Sequence, residues 1–413
     1  MPDTMSAGAR GAPGGTDVAG AGAHSRRADI DILRAVAVLA VILFHFDVTA
    51  LSGGFLGVDM FFVISGYLIT LHLREQVAGG SFSFVNFYAR RIRRLFPALA
   101  VTLLLTSAVA VLILPRALLA EYALSAVAAS AYVSNIFFWS IADYFDTDSI
   151  YKPLLHTWSL SVEEQFYIFW PMFVLVFLRR HLMIAVAVAG LLSASAALFL
   201  NLDANTVFYH FPFRVHEFAL GALMTGIPMH RLPRWSRSLI VLAAFAGIAY
   251  GLLTTTEHSA FPGFGSAAVV IGTALIIGAN HPALNVRSAF TQPILRVGLA
   301  SYSSYLVHWP MVVFYKILYP GQLDLTAILL LTLATLYLGE LMYQWVEQPS
   351  AGIALPKFRF PVIAMAPGMI ALALAFNFTW PNMRAALFPP SAPATVLAGA
   401  GEGGGGRGAA NCA

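Results

Sequence analysis

The feature that most constrains this chain is a succession of apolar stretches, each close in length to the thickness of a bilayer. A helix rises ~1.5 Å per residue and the hydrocarbon core is ~30 Å thick, so about 20 apolar residues can cross it. Eleven stretches are suitable, at 32–50, 55–73, 97–114, 162–178, 182–200, 209–227, 238–254, 265–280, 295–316, 324–344 and 361–380. The composition agrees, because 59% of the 413 residues are hydrophobic and 11% are charged, against roughly 25% charged in soluble domains. The sequence therefore predicts an all-α polytopic membrane protein with a ten-helix core and an eleventh transmembrane helix.

A further apolar stretch, 121–140, could span the membrane, re-enter it or lie in the interface. Arginine and lysine concentrate in the cytoplasmic loops of membrane proteins. If the N-terminus is cytoplasmic and 121–140 does not span, the outer loops between spans carry only Arg116 and Lys152. A span there would move every later loop to the other side and remove this asymmetry. We therefore predict a cytoplasmic N-terminus, an extracytoplasmic C-terminus and an outer excursion over 115–161.

Composition also divides the chain. Residues 1–29 are rich in Gly, Ala and Arg and are predicted to be a disordered cytoplasmic tail, followed by the membrane domain over 30–350. Residues 351–384 form a linker with the eleventh span, and 385–413 form a low-complexity tail. Because the single cysteine, Cys412, lies in that tail, we expect no disulfide, cysteine metal site or thiol nucleophile.

The first span, "RAVAVLAVILFHF" at 34–46, carries two ionisable residues. Insertion of a charged side chain near the membrane centre costs ~2.5–3.5 kcal/mol, so such residues are functional candidates by default. Arg34 and His45 are eleven residues apart, which places them on one helix face, ~16 Å apart along the axis. Snorkelling at the helix end would account for Arg34 alone, but not for His45.

The second span begins with "GGFLGVDMFFVISGYLIT" at 53–70, in which Asp59 lies near the outer end. A carboxylate beside a membrane histidine can fix its tautomer and raise its basicity. Asp59 is therefore a candidate partner of His45. The alternative is a helix-capping role at an interfacial turn.

A dense cationic cluster, "FYARRIRRLFPAL" at 87–99, precedes the third span. It could be an orientation signal, a binding site for anionic lipids or a phosphate site. Arg91 and Arg94 are three residues apart and can point together, so with Arg34 and Arg90 they outline a polyphosphate site at the cytoplasmic surface.

The fourth span opens with "LLHTWSLSVEEQFYIFWP", 154–171, which contains four candidate site residues, His156, Trp158, Ser159 and Glu163. Aromatic residues here could belong to the interfacial belt. A capping box of Ser161 and Glu164 explains part of the pattern but neither His156 nor Glu163.

Further polar residues fall in later spans. Arg214 and Glu217 are spaced for a buried ion pair, and His308 lies in "SYSSYLVHWP", 301–310. Several helices therefore contribute to a polar path. The histidines lack the spacing of metal ligands, so no metal is expected.

Taken together, these segments resemble the acyltransferase 3 family of bacterial integral membrane acyltransferases, which includes O-antigen, peptidoglycan and Nod-factor O-acetyltransferases and macrolide-modifying acyltransferases. Seven motifs carry the resemblance in the family's order over residues 30–350: the Arg34–His45 pair, "GVDMFFVISGYLI" (57–69), "RRIRRLFP" (90–97), "HTWSLSVEEQFYIFWP" (156–171), "FRVHEFALG" (213–221), "SYSSYLVHWP" (301–310) and "VEQP" (346–349). One departure is Ile32, where the family usually has glycine.

The resemblance implies a membrane-bound O-acyltransferase that uses a cytoplasmic acyl donor, usually acetyl-CoA, and an acceptor hydroxyl. It implies that His45 is the catalytic histidine and that Arg34, Arg91 and Arg94 hold the donor, with Arg90 beside them. Asp59 and Glu163 become candidates for orienting the imidazole or binding the acceptor. The remaining candidates for the acceptor site are His156, Trp158, Ser159, Arg214, Glu217 and His308.

The resemblance also implies a location in the bacterial inner membrane and a carbohydrate or glycolipid acceptor, with no nucleic acid involved. Many relatives with an eleventh span carry an outer hydrolase-like domain. Here only about thirty residues follow that span, so we expect the core to act alone, with a separate extracytoplasmic transferase, or on another class of acceptor. A macrolide-type acceptor is an alternative, as is a transporter or flippase, since intramembrane charges also line solute paths.

Overall fold

The structure, a computed structural model, describes residues 27–142, 151–177 and 181–353. These residues form helices and connecting turns, with no strand among them. The helices in chain order are α1 (Ala28–His45), α2 (Gly57–Ala78), α3 (Phe84–Ile113), α4 (Arg116–Ser130), α5 (Ser134–Ile141), α6 (Thr157–Phe177), α7 (Leu182–Phe199), α8 (Ala204–Tyr209), α9 (Phe211–Leu223), α10 (Arg234–Thr254), α11 (Phe264–Ala279), α12 (Gln292–Leu299), α13 (Ser301–Leu318), α14 (Leu325–Met342) and α15 (Gln348–Ala351). A π-helical turn, Tyr343–Glu347, joins the last two.

Six helical segments of the described chain are long and apolar enough to cross a bilayer. They are Gly54–Ala78, Phe84–Ile113, Thr157–Phe177, Leu182–Phe199, Arg234–Thr254 and Leu325–Ala351. Their outward faces expose large apolar side chains, with Leu105, Leu191 and Leu242 each more than 60% exposed. Soluble monomers rarely expose contiguous apolar surface on this scale. The all-helical architecture is therefore that of a polytopic membrane protein.

The first ten predicted spans all contain helix in their described residues, but two of them do not form one long helix. The stretch 209–227 yields α9, whose 13 residues extend only ~20 Å, less than the hydrocarbon core. The stretch 295–316 is divided at Ala300 between α12 and α13. The stretch 361–380 lies outside the described residues.

The ambiguous stretch 121–140 is divided between α4 and α5. Tyr132 lies between these helices with a left-handed φ of 54°, which a continuous right-handed helix excludes. The 15 residues of α4 extend ~22 Å, and α5 has only eight residues. Neither helix alone is long enough to cross a bilayer.

The folded domain begins earlier than the predicted boundary at residue 30. Arg27 donates hydrogen bonds to Asp29 and to the hydroxyl of Tyr67, both at 2.6 Å, and to the carbonyl of Ile277 at 2.6 Å. Asp29 is fully buried. An arginine that composition assigned to the tail therefore joins α1 to two other parts of the chain.

The third helix also begins earlier, at Phe84 rather than at residue 97, and continues through Pro97. The hydroxyl of Ser83 accepts a hydrogen bond from the amide of Asn86 at 3.4 Å, which caps the first turn. The arginine cluster is therefore part of the helix, and helical spacing decides which arginines point inward.

The helix α2 is the most buried of the six long segments, whereas α7, α10 and α14 are the least buried. It crosses α9 at two glycines. A Cβ atom on Gly66 would lie 2.0 Å from the carbonyl oxygen of Phe218, and one on Gly221 would lie 1.9 Å from that of Val63. Small residues let helix backbones approach closely in membranes. This crossing fixes the position of polar side chains on α2 and α9.

Candidate active site

A cavity of about 500 Å³, here called the arginine cavity, lies among α1, α2, α3, α6 and α13. One end is formed by the N-terminal parts of α1, α3 and α13 and the C-terminal part of α2. Four guanidinium groups line that end, those of Arg34, Arg90, Arg91 and Arg94. The carboxylates among its described lining residues are Glu75 and Glu163. The cation excess suits an anionic ligand that carries several phosphates.

Helical spacing directs Arg91 into the protein. Its guanidinium lies 3.7 Å from the ring centroid of Phe87 and 5.1 Å from that of Tyr167. One N–H donates to the carbonyl of Phe87 at 3.4 Å. The buried Nε has no hydrogen-bond partner. A buried donor without a partner is costly, so this atom is suited to an anion that enters the cavity.

The other arginines of the cavity contact neutral or acidic partners. Arg34 donates from Nε to the hydroxyl of Ser301 at 3.1 Å. Arg94 donates from Nε to Glu347 Oε1 at 3.3 Å, and the other oxygen of Glu347 accepts from Ser303 at 2.9 Å. Arg90 lies 3.2 Å from Nε2 of His72. These contacts tie the start of α3 to the start of α13 and to the π-helical turn.

Glu163 on α6 lines the arginine cavity. Its Oε1 accepts hydrogen bonds from the hydroxyls of Ser65 on α2 and Tyr167 on α6. These contacts place Glu163 with hydroxyl groups. Neither partner is an imidazole, so these contacts differ from the expectation that Glu163 orients the ring of His45.

Tyr305 on α13 and Ser159 on α6 line the end of the cavity opposite the arginines. The hydroxyl of Tyr305 donates to the carbonyl oxygen of His156 at 2.9 Å and hydrogen-bonds the hydroxyl of Ser159 at 2.7 Å. The ring of His156 is 5.5 Å from that of Tyr305, and neither of its nitrogens has a hydrogen-bond partner. Tyr305, Ser159 and His156 therefore lie between the arginine cavity and the pair of His45 and His308.

His45 lies beyond Tyr305 and does not line the arginine cavity. Its Nδ1 is 3.1 Å from Nε2 of His308, and the two rings are stacked with centroids 5.2 Å apart. Trp309 packs edge-on against His45 at 4.6 Å and donates from its indole to the carbonyl of Lys152 at 2.9 Å. His45 is half-buried, whereas His308 is completely buried. The structure thus joins the two histidines that the sequence separates by most of the domain.

Asp59 contacts a different partner from the one expected. Arg214 Nη1 is 3.3 Å from Asp59 Oδ1 and 2.9 Å from Glu217 Oε1, and all three side chains are buried. The spacing correctly indicated the pair of Arg214 and Glu217. The prediction that Asp59 lies beside His45 is wrong, because α9 brings an arginine to Asp59 across the α2–α9 crossing.

Trp158 belongs to the surroundings of this triad. Its ring centroid lies 5.5 Å from the Arg214 guanidinium, and the ring of Phe261 covers the same group at 4.0 Å. Trp158 and Arg214 are both buried. Trp158, Arg214 and Glu217 therefore form a core cluster apart from the residues that line the arginine cavity.

Within the described part of the chain, no group of three or more His, Cys, Asp or Glu residues could hold a metal ion.

Three residues that sequence reasoning left unassigned are part of this site. Ser301 contacts Arg34, Glu347 contacts Arg94, and Tyr305 joins the cavity to His308. All three occur in the motifs "SYSSYLVHWP" and "VEQP". Their roles depend on which helices are neighbours, which the motifs do not specify.

Comparisons with known proteins identify the family of this chain. The family model for the acyltransferase 3 domain, described as "Acyltransferase domain", matches residues 27–344. The chain is 34% identical over 342 residues to peptidoglycan O-acetyltransferase OatA of Listeria monocytogenes, covering 78% of this chain and 55% of the relative. It is 32% identical over 355 residues to O-acetyltransferase OatA of Staphylococcus aureus, covering 80% and 58%. It is 34% identical over 345 residues to putative peptidoglycan O-acetyltransferase YrhL of Bacillus subtilis, covering 78% and 54%.

The fold and the match define an integral membrane acyltransferase domain. The chain belongs to the acyltransferase 3 family. It spans a little over half the length of these curated relatives. No solved structure matches it.

Proposed function

We propose that this protein transfers an acetyl group from acetyl-CoA to a hydroxyl of a carbohydrate acceptor. The observation that carries the proposal is a cavity with four arginines at one end and, at the other, Tyr305 in contact with the layer of His45 and His308. The family and the names of its relatives support the reaction class.

The arginine end is the donor site in this proposal. Arg34, Arg90, Arg91 and Arg94 supply the positive charge for the phosphates of coenzyme A, and the unpartnered Nε of Arg91 supplies a buried donor. Guanidinium groups suit phosphates because they donate in a planar fork. The acyl-bearing arm then extends along the cavity toward Tyr305. With the predicted orientation, this end faces the cytoplasm of a bacterium and the protein lies in its inner membrane.

His45 is the general base in this proposal. Its imidazole takes the proton of the acceptor hydroxyl as that oxygen attacks the thioester carbonyl carbon. The carbon–sulfur bond breaks, and the departing thiolate receives the proton from the imidazolium. General-base catalysis of this kind contributes typically 10²–10⁴-fold. A route through an acyl-enzyme intermediate needs a base at each attack, and a separate extracytoplasmic transferase would supply its own base for the acceptor hydroxyl.

The surroundings of His45 suit a sugar ring on the acceptor. Phe44 and Trp309 pack against His45 with ring centroids at 5.1 and 4.6 Å, and Phe55 packs against Phe44 at 5.4 Å. The apolar face of a sugar stacks well on aromatic rings. Since the relatives are named as peptidoglycan O-acetyltransferases, the glycan of peptidoglycan is the acceptor we propose.

The test uses the full chain in lipid nanodiscs with radiolabelled acetyl-CoA and soluble peptidoglycan fragments. We expect label in the fragments with the wild type and a ~10²–10⁴-fold lower rate with His45→Ala. The matched control is His258→Ala, since His258 lies exposed in the loop between α10 and α11. Near-normal transfer by correctly inserted His45→Ala protein would contradict the proposal. Mass spectrometry of cell-wall glycans with and without the gene then identifies the acceptor through the missing acyl mass.

A further inference from the structure

His308 is held by hydrogen bonds at both of its ring nitrogens. Its Nδ1 lies 2.5 Å from the backbone carbonyl oxygen of Tyr305, one turn earlier in α13. Its Nε2 lies 3.1 Å from Nδ1 of His45. A carbonyl oxygen can only accept a hydrogen bond. The proton on His308 is therefore on Nδ1, which donates to Tyr305.

The other nitrogen of His308 is then an acceptor as long as the ring is neutral. The side chain is completely buried, and no carboxylate of the described chain hydrogen-bonds either this ring or that of His45. The charged groups next to the pair are Lys316 and Asp47, which form an ion pair with each other at 2.7 Å. The third nearby histidine, His156, contributes only a ring contact to His308 at 5.8 Å. A buried imidazolium without an anionic partner is costly, so the neutral form prevails.

The hydrogen bond between the histidines consequently has one possible direction. Because His308 Nε2 carries a lone pair, His45 Nδ1 must carry the proton and donate it. The other nitrogen of His45, Nε2, is then unprotonated, and it has no hydrogen-bond partner among the described residues. Trp309, fixed by its bond to the carbonyl of Lys152, packs against the His45 ring and limits its rotation.

We propose that His308 is a positioning residue that sets the tautomer of His45, with the proton on Nδ1 and Nε2 as the basic atom. The carbonyl of Tyr305 fixes His308, and His308 in turn orients His45. In a Ser-His-Asp triad a carboxylate performs this task. Here the hydrogen-bond acceptor is the neutral imidazole of His308. The inference rests on the proposed role of His45 as the base.

The direct test reads the tautomer without an activity assay. Wild-type protein labelled with ¹⁵N-histidine is placed in nanodiscs, and the ring nitrogens of His45 are assigned by their loss in His45→Ala. We expect the shift of an unprotonated nitrogen at Nε2 and of a protonated nitrogen at Nδ1. A proton on Nε2 would overturn the inference even if His45→Ala abolished transfer. Active His45→Ala protein would instead overturn the proposed function, whatever the spectrum showed.

Two variants of His308 provide the functional test. In His308→Phe the ring volume is retained but no acceptor remains, whereas in His308→Gln the amide oxygen can accept from His45 Nδ1. We expect His308→Phe to lower kcat by roughly 10–100-fold, the range found for residues that orient metal-bound histidines, with the KM for acetyl-CoA unchanged. His308→Gln should recover most of that loss, and the control His258→Phe should behave as wild type. Equal activities for the Phe and Gln variants would count against the proposal, and if neither folds, the wild-type spectrum decides.

Discussion

At the scale of the residue, Arg91 differs from the other arginines of the cavity. Its guanidinium is packed against Phe87, and its Nε is buried without a hydrogen-bond partner. Arg94, by comparison, contacts Glu347. A bound phosphate would therefore satisfy a donor on Arg91 that the protein leaves unsatisfied.

Replacing Arg91 should accordingly weaken donor binding. We expect Arg91→Ala to raise the KM for acetyl-CoA by roughly 10–100-fold, since a hydrogen bond to a charged group contributes ~1.5–3 kcal/mol. Arg91→Lys should not restore binding, because lysine lacks the planar fork. Initial rates against acetyl-CoA concentration measure the effect, with Arg234→Ala, exposed at the start of α10, as the control. An unchanged KM would mean that Arg91 does not contact the donor.

Asp59 offers a second residue-scale prediction. Two carboxylates share the guanidinium of Arg214, so Asp59→Asn leaves a matched pair and should keep transfer within about threefold of wild type. Arg214→Met leaves two buried carboxylates without their cation and should cost ~3–5 kcal/mol in stability. Thermal unfolding in detergent measures the loss of stability in Arg214→Met, and transfer rates measure the activity of Asp59→Asn. A hundredfold loss of turnover in stable Asp59→Asn protein would assign Asp59 to the chemistry after all.

At the scale of the element, the crossing of α2 and α9 depends on the absence of side chains at Gly66 and Gly221. The same crossing brings Asp59 to Arg214, and α2 also lines the arginine cavity with Ser65. The packing of these two helices therefore supports one wall of the proposed site.

A methyl group at this crossing should disturb the domain. Gly66→Ala places a Cβ 2.0 Å from the carbonyl oxygen of Phe218, so the helices must separate, at a cost of ~1–3 kcal/mol. The expected result is a lower thermal unfolding midpoint in detergent. Gly247→Ala on α10 is the matched control, because its Cβ would meet its nearest atom at an ordinary 3.5 Å. Equal midpoints for the two variants would show that the crossing tolerates a wider spacing.

At the scale of the whole molecule, the proposed reaction depends on orientation. The donor end must face the cytoplasm, where acyl-CoA is found, and the start of α1 must lie on the same side. The loop after α2 and the loop after α10 should then lie on opposite sides of the membrane.

Labelling of single cysteines tests this orientation. In a Cys412→Ser background, which removes the only native thiol, Ser259→Cys should react with an impermeant maleimide in intact cells. Ser81→Cys should react only after permeabilisation. Both positions are exposed in the structure, so accessibility within the protein does not limit either. The reverse pattern would place the arginine cavity on the outside and exclude a cytoplasmic donor.

Much of the architecture follows from local pattern. Hydrophobic length predicted the helices, since lipid requires each backbone group to be paired within its own helix. The helical period likewise predicted the ion pair of Arg214 and Glu217. It could not locate the limits of α9 or the interruption at Tyr132, because these depend on turn conformation and packing.

The sequence by itself determined that this chain is a helical membrane protein, that it belongs to the acyltransferase 3 family, and that Arg34 and His45 share a helix face. Only the tertiary structure decided that Asp59 pairs with Arg214 and that His45 pairs with His308. The physical reason is that helix periodicity fixes neighbours within one helix, whereas neighbours between helices depend on which helices pack together. Residues 263 positions apart, His45 and His308, become partners only when α1 and α13 are in contact.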